Sequence, residues 1–295
     1  MTSPLAFRIS VDERLRKEVA ASGRPINRAR TLLIMERFLA RVVELAPEAL
    51  VLKGGLALEL RLDRARTTRD VDMRAFGSPE AIPELLARVA ATRPVPEDFI
   101  DFRVEANRHR PEIDGEGVRY TGRRFVITPT LASKPFGDPF GLDIAFADPM
   151  LGRPDILEGS SFFVRYGLSP LRIPAYPMPT HIAEKLHAYT LPRTTLNTRV
   201  KDLVDIAILA GVDGHASADL AEAIRLTFTF RGSHAVPGAL PEPPAAWHAP
   251  YDRMRREEAL PWRSINDVSA EAGAFLNPVL AGIDGRWVVA IGVWR

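Results

Sequence analysis

The chain has 295 residues, 46% hydrophobic and 26% charged, enough to bury one large core or two ordinary ones. It contains no cysteine, which excludes disulfides, thiolate catalysis and cysteine-based zinc sites, so any metal must sit on oxygen or histidine. The net charge of +2 is small, no run approaches the roughly 18 apolar residues of a spanning helix, and the first residues lack the pattern of a secretory leader, so a cytoplasmic protein without membrane segments is expected.

Basic residues still cluster, at Arg14, Arg16 and Lys17, at Arg24, Arg28 and Arg30, and at Arg61, Arg64, Arg66, Arg69 and Arg74. Such clusters suit a polyanion or a solvated helix face, and the third surrounds an acidic pair. Residues 26–46 carry Leu32, Met35, Leu39 and Val42 at helical spacing and predict an amphipathic packing helix. Ala49 to Leu52 reads as a short apolar strand that runs through Lys53 into Gly54-Gly55, and Leu56 to Leu62 as the helix that follows. Strand, glycine turn and helix form the context in which backbone N–H groups and a helix dipole can meet a phosphate.

From Arg66 to Phe76 the alternation predicts a strand with Asp70, Asp72, Arg74 and Phe76 on one face. Both carboxylates then project the same way and can hold a divalent ion. Pro79 to Ala91 reads as a helix, and 93–116, polar and proline-punctuated, as an irregular excursion. Residues 118–131 and 139–147 read as antiparallel strands joined across Lys134 to Asp138. In the second, Asp143 shares a face with Gly141, Ala145 and Ala147, which makes it either a third active-site carboxylate or an acid on a solvated edge.

Four prolines between 170 and 179 suggest a linker, with the pattern almost wholly helical beyond it. Thr180 to Leu191 has Ile182, Leu186 and Tyr189 as its apolar stripe, with Lys185 inside it. Val200 to Ala210 buries Ile206 and Leu209, and Asp202 projects between them with Asp205 beside it. Charges in buried stripes are costly unless paired or used. Lys185 therefore either pairs with Asp202 or Asp205 or faces a nucleotide phosphate. Helices are expected at 215–232 and 264–281, with a proline-rich connection at 237–250 and an apolar, strand-like tail. Trp247, Trp262, Trp287 and Trp294 lie among arginines, an arrangement suited to stacking on bases or to packing a helical domain. The six histidines show no ligand spacing.

The ordered set Lys53-Gly54-Gly55, Arg66 to Asp72, Glu184 to Ala188 and Arg199 to Asp205, with Phe275 to Leu280 as a late helix segment, resembles the AbiEii-type nucleotidyltransferase toxins, including the MenT group. The resemblance runs from about residue 30 to the C-terminus. It implies an α+β fold: a polymerase β-like nucleotidyltransferase domain with a mixed sheet and N-terminal helices over 1–172, then a mainly helical domain over 173–295. It also implies transfer of NMP from an NTP, assisted by Mg²⁺ or Mn²⁺, onto the 3′ acceptor end of tRNA, under control of a cognate antitoxin protein. Carried over by position, Asp70, Asp72, Lys185 and Asp202 would be catalytic. Lys53, Gly54, Gly55, Arg66, Thr67 and Lys185 would bind nucleotide. Asp70 and Asp72 would hold metal with Asp143, which fits by strand phase, and Thr68 is a candidate phosphorylation site. The chain departs from the wider polymerase β-like pattern in carrying Gly-Gly where Gly-Ser is usual. A small-molecule or protein acceptor, and a non-catalytic nucleotide- or RNA-binding module, remain alternative readings.

Overall fold

A computed structural model describes residues 3–22, 25–62, 68–113, 122–193, 199–212 and 214–295. The chain opens with two helices, α1 (Pro4–Ser22) and α2 (Ile26–Leu45), before the central strand β1 (Leu50–Lys53). All four residues of β1 are buried, as expected of an apolar strand covered on both faces. The helix after it, α3 (Gly54–Arg61), begins on the glycines themselves rather than at Leu56. Strand β2 (Asp70–Ala75) follows, then α4 (Ile82–Ala91).

The segment expected to be irregular contains β3 (Ile100–Ala106), a full member of the sheet. Arg41, buried on α2, holds its start by donating to Asp98 Oδ1 at 2.7 Å and to the Ile100 carbonyl at 2.8 Å. Asp98 Oδ1 in turn accepts from the Ile100 N–H at 3.1 Å. Next come β4 (Gly122–Leu131), β5 (Lys134–Pro135), β6 (Phe140–Phe146), β7 (Asp155–Glu158) and β8 (Arg172–Ala175). The sheet runs β3-β4-β6-β2-β1-β8-β7, with β5 paired to β4. It is mixed: β2 is parallel to β6 and β1 parallel to β8, and the other pairs are antiparallel. The proline-rich stretch read as a linker therefore contains a sheet strand, with Ala175 paired to Leu52 of β1.

Beyond it lie α5 (Met178–Thr190), α6 (Val200–Ala210), α7 (Ser217–Arg231), α8 (His248–Glu258) and α9 (Ile265–Leu280), closed by the short ribbon β9 (Trp287–Val288) and β10 (Val293–Trp294). Helix α8 starts inside the stretch read as a plain connection. One hydrophobic core packs α1, α2 and α4 against the sheet, from Phe7 to Ala175. A second joins α5, α6, α7 and α9 and takes in Leu58 of α3. The α3 helix thus sits between the two cores. The tryptophans fill the second one: Trp247, Trp287 and Trp294 are buried, Trp287 Nε1 donates to the Ala210 carbonyl and Trp294 Nε1 to the Phe275 carbonyl. Packing, not base stacking, accounts for these three.

Candidate active site

Strand register builds the site. Lys53 of β1 faces Asp72 of β2, Asp72 faces Asp143 of β6, and Asp143 faces Arg124 of β4, so a row of cation, anion, anion, cation crosses four adjacent strands. Asp70 lies two residues before Asp72 on the same face, opposite Gly141. Gly141 leaves room there, because a Cβ on it would lie 2.5 Å from Asp70 Oδ1.

The glycine turn closes one side of this row. Gly54 takes φ +67°, a left-handed conformation that glycine adopts without strain. Any Cβ on it would run into the Asp72 carboxylate, 2.7 Å from Cγ. At Gly55 a Cβ would meet the Thr68 side chain, 2.7 Å from Oγ1 and 2.8 Å from Cβ. The absence of a serine at the turn thus has a local cause: the space is taken by Thr68, which is buried and whose hydroxyl donates to the Asp70 carbonyl at 3.1 Å.

Burial pushes the Asp72 carboxyl up from its ordinary range. The neighbouring charges of Asp143 and Asp70 add to the shift, and Lys53 and Lys185 oppose it. Asp143 is also raised, by burial and by Asp70, against the pull of Arg124, whose Nε donates to Asp143 Oδ2 at 3.1 Å. The face therefore disfavours its own full ionisation, and a divalent cation would relieve that. Among the described residues, no three Asp, Glu, His or Cys side chains converge tightly enough to cage an ion. The donor set still fits Mg²⁺, which prefers oxygen and is held by one or two carboxylates plus waters and substrate phosphates.

Lys185 takes the paired arrangement, with its Nζ 3.2 Å from Asp202 and 2.9 Å from Asp205. This ties α5 to α6 and leaves the ammonium near enough to Asp72 to lower its pKa. Arg199 reaches the other oxygen of Asp202 at 3.5 Å. His181, one turn before Lys185 on α5, is fully buried and held well below the ordinary imidazole range, chiefly by burial.

Lys53 is buried too, and its ammonium bonds Asp148 and Glu184, the latter at 3.0 Å. Arg231 of α7 completes the cluster, 2.9 Å from Asp148 and 3.3 Å from Glu184. Lys53, read as a phosphate ligand, thus anchors the sheet to α5 and α7. Asp148 and Arg231 carry no local sequence signal, because their partners lie far along the chain. Several arginines of the basic clusters also have structural duties: Arg30 pairs with Asp12, Arg28 with Glu59 and Arg61 with Asp155. Arg66 and Thr67 lie outside the described residues.

No curated protein matches this chain. Among solved structures, it resembles the MenT4 nucleotidyltransferase toxin from Mycobacterium tuberculosis H37Rv with a TM-score of 0.54 at 17% identity, covering 88% of this chain and 95% of that one. It also resembles the protein JHP933 from Helicobacter pylori, with a TM-score of 0.48 at 15% identity over 84% and 91%. The model of the nucleotidyltransferase AbiEii toxin, of type IV toxin–antitoxin systems, matches residues 37–270. That span holds β1, the glycine turn, the carboxylate face and the Lys185 wall, and by it the chain belongs to the AbiEii family of nucleotidyltransferase toxins.

Proposed function

We propose that this toxin transfers NMP from an NTP to the 3′ acceptor end of tRNA, with the sheet domain that ends in β8 as the catalytic part and the helices from α5 onward closing the site. The observation that carries the reading is the row of Asp72 and Asp143 beside the Gly54-Gly55 turn, with Asp70 on the same face.

The triphosphate would lie at the N-terminus of α3, where a helix start presents backbone N–H groups and the two glycines add no side chain of their own. Asp70 and Asp72, with Asp143, would hold Mg²⁺ or Mn²⁺, which supplies charge stabilisation to the attacking and leaving oxygens. The acceptor hydroxyl oxygen forms a bond to the α-phosphorus, the bond to the β-phosphate bridging oxygen breaks, and pyrophosphate leaves. Asp143, whose carboxyl burial pushes up from its ordinary range, would take the hydroxyl proton. Lys185, held by Asp202 and Asp205, projects positive potential towards Asp72 from the helical side. Lys53 contributes by fixing the strand that carries the turn. A cognate antitoxin could act at Thr68: a phosphate there adds roughly −1.5 to −2 charge beside Asp70, and the hydroxyl must first leave the Asp70 carbonyl.

The test is incubation of the chain with each α-labelled NTP and, separately, total tRNA, small hydroxylated acceptors and lysate protein. Label in tRNA supports the proposal. Label confined to protein or small molecules favours the other acceptors, and no label with any of them overturns the transferase mechanism.

A further inference from the structure

Arg124 ends the charged row on the side away from the glycine turn and has so far been given no contact with substrate. It stands on the open face of β4, where Arg124, Val126, Thr128 and Thr130 are half-exposed and Phe125, Ile127 and Leu131 are buried. Its Nε is taken by Asp143 at 3.1 Å. Its two terminal nitrogens meet no acceptor among the described residues, and the side chain stays 25% exposed.

Position along the row decides what those nitrogens can reach. If the triphosphate sits at the turn, its leaving group lies on the β1 side. In-line displacement then requires the attacking oxygen to approach from the opposite side, over β6 and β4. With strands about 4.8 Å apart, Arg124 stands two strands beyond Asp72, where a nucleic-acid acceptor must enter. A planar guanidinium whose two terminal nitrogens stay open matches a phosphate oxygen pair, and Arg holds such anions bidentately.

We propose that Arg124 binds a backbone phosphate of the RNA acceptor strand and so selects and positions the attacking end. The Asp143 contact parks the guanidinium in place when no acceptor is bound. This deepens the transfer reading and rests on it for the direction of entry.

The experiment measures binding of unfractionated tRNA in EDTA, by fluorescence anisotropy across a salt series, with steady-state transfer kinetics alongside. Arg124→Ala should weaken binding about tenfold and lower the slope of log Kd against log salt by about one. Arg124→Lys should keep the slope and recover part of the affinity. Asp143→Asn, which releases the guanidinium, should tighten metal-free binding. In transfer assays Arg124→Ala should raise the KM for tRNA and leave the KM for NTP within about twofold. Unchanged affinity and slope in Arg124→Ala, an equal rise in the KM for NTP, or no tRNA binding by the wild type would each overturn the proposal. Wild-type protein that binds tRNA through Arg124 but transfers no label would sink the transfer reading alone. Transfer to tRNA with an Arg124-independent Kd would sink this inference alone.

Discussion

Replacing Gly54 by alanine tests whether the turn works through backbone shape and clearance. Two costs can be worked from the structure. The left-handed backbone at φ +67° penalises an L side chain by about 1–2 kcal/mol. The added methyl would also stand 2.7 Å from Asp72 Cγ and 2.9 Å from its Cβ, so the carboxylate must rotate away or the turn must open. If Asp72 holds the metal as proposed, an oxygen displaced by about 1 Å costs on the order of 100-fold in rate. Gly54→Ala should therefore lose roughly 100-fold in kcat while unfolding only a few degrees earlier by differential scanning calorimetry. A variant that keeps kcat within about twofold of wild type, at any Tm, would refute the steric role given to this glycine.

Three further outcomes are expected. Gly55→Ser restores the residue usual in the wider superfamily, but its Cβ would stand 2.8 Å from Thr68 Cβ, so denaturant titration should show a loss of about 1–3 kcal/mol. Thr68→Gly in the same chain should recover part of it, with a coupling above about 0.5 kcal/mol. Lys185→Met removes the ammonium that bridges Asp202 and Asp205, both buried, and should lower stability in chemical denaturation; adding Asp205→Leu should regain stability without regaining transfer. Asp72 has a raised pKa in the fold, so its contribution to stability is greatest below the ordinary value of 3.8 and is lost as pH rises through the raised value. Metal-free Asp72→Asn should thus be more stable than wild type near neutral pH, a gap that closes in acid, as read from Tm against pH. A constant gap across the range would contradict the burial argument.

Local pattern made half of the site legible. The period-two alternation of Asp70-Val71-Asp72 and the apolar run into Gly54-Gly55 carry strand phase and turn chemistry within a few residues, and the parallel register of β2 with β6 then sets Asp143 against Asp72. The two buried stripes of α5 and α6 likewise announced Lys185 with Asp202 and Asp205 through the cost of unpaired charge. Strand β3 was hidden because only Ile100 and Phe102 on it are fully buried, which leaves too short an alternation among polar residues. The prolines at 174 and 177 masked β8, whose pairing to β1 depends on chain far upstream. The partners of Lys53 were out of reach for the same reason: Asp148 follows β6, and Glu184 and Arg231 lie on different helices. Arg124 could have been found by strand phase, as a cation on the half-polar face of a strand beside Asp143.

If the carboxylate face next to the glycine turn drives transfer onto the 3′ end of tRNA, destroying that end must abolish labelling. The most direct measurement compares labelling, from an α-labelled NTP, of intact tRNA with that of tRNA whose 3′-terminal ribose has been oxidised by periodate. Label is expected in the intact RNA only, and in neither with Asp72→Asn. Equal labelling of both RNAs, or full labelling by Asp72→Asn, would contradict it.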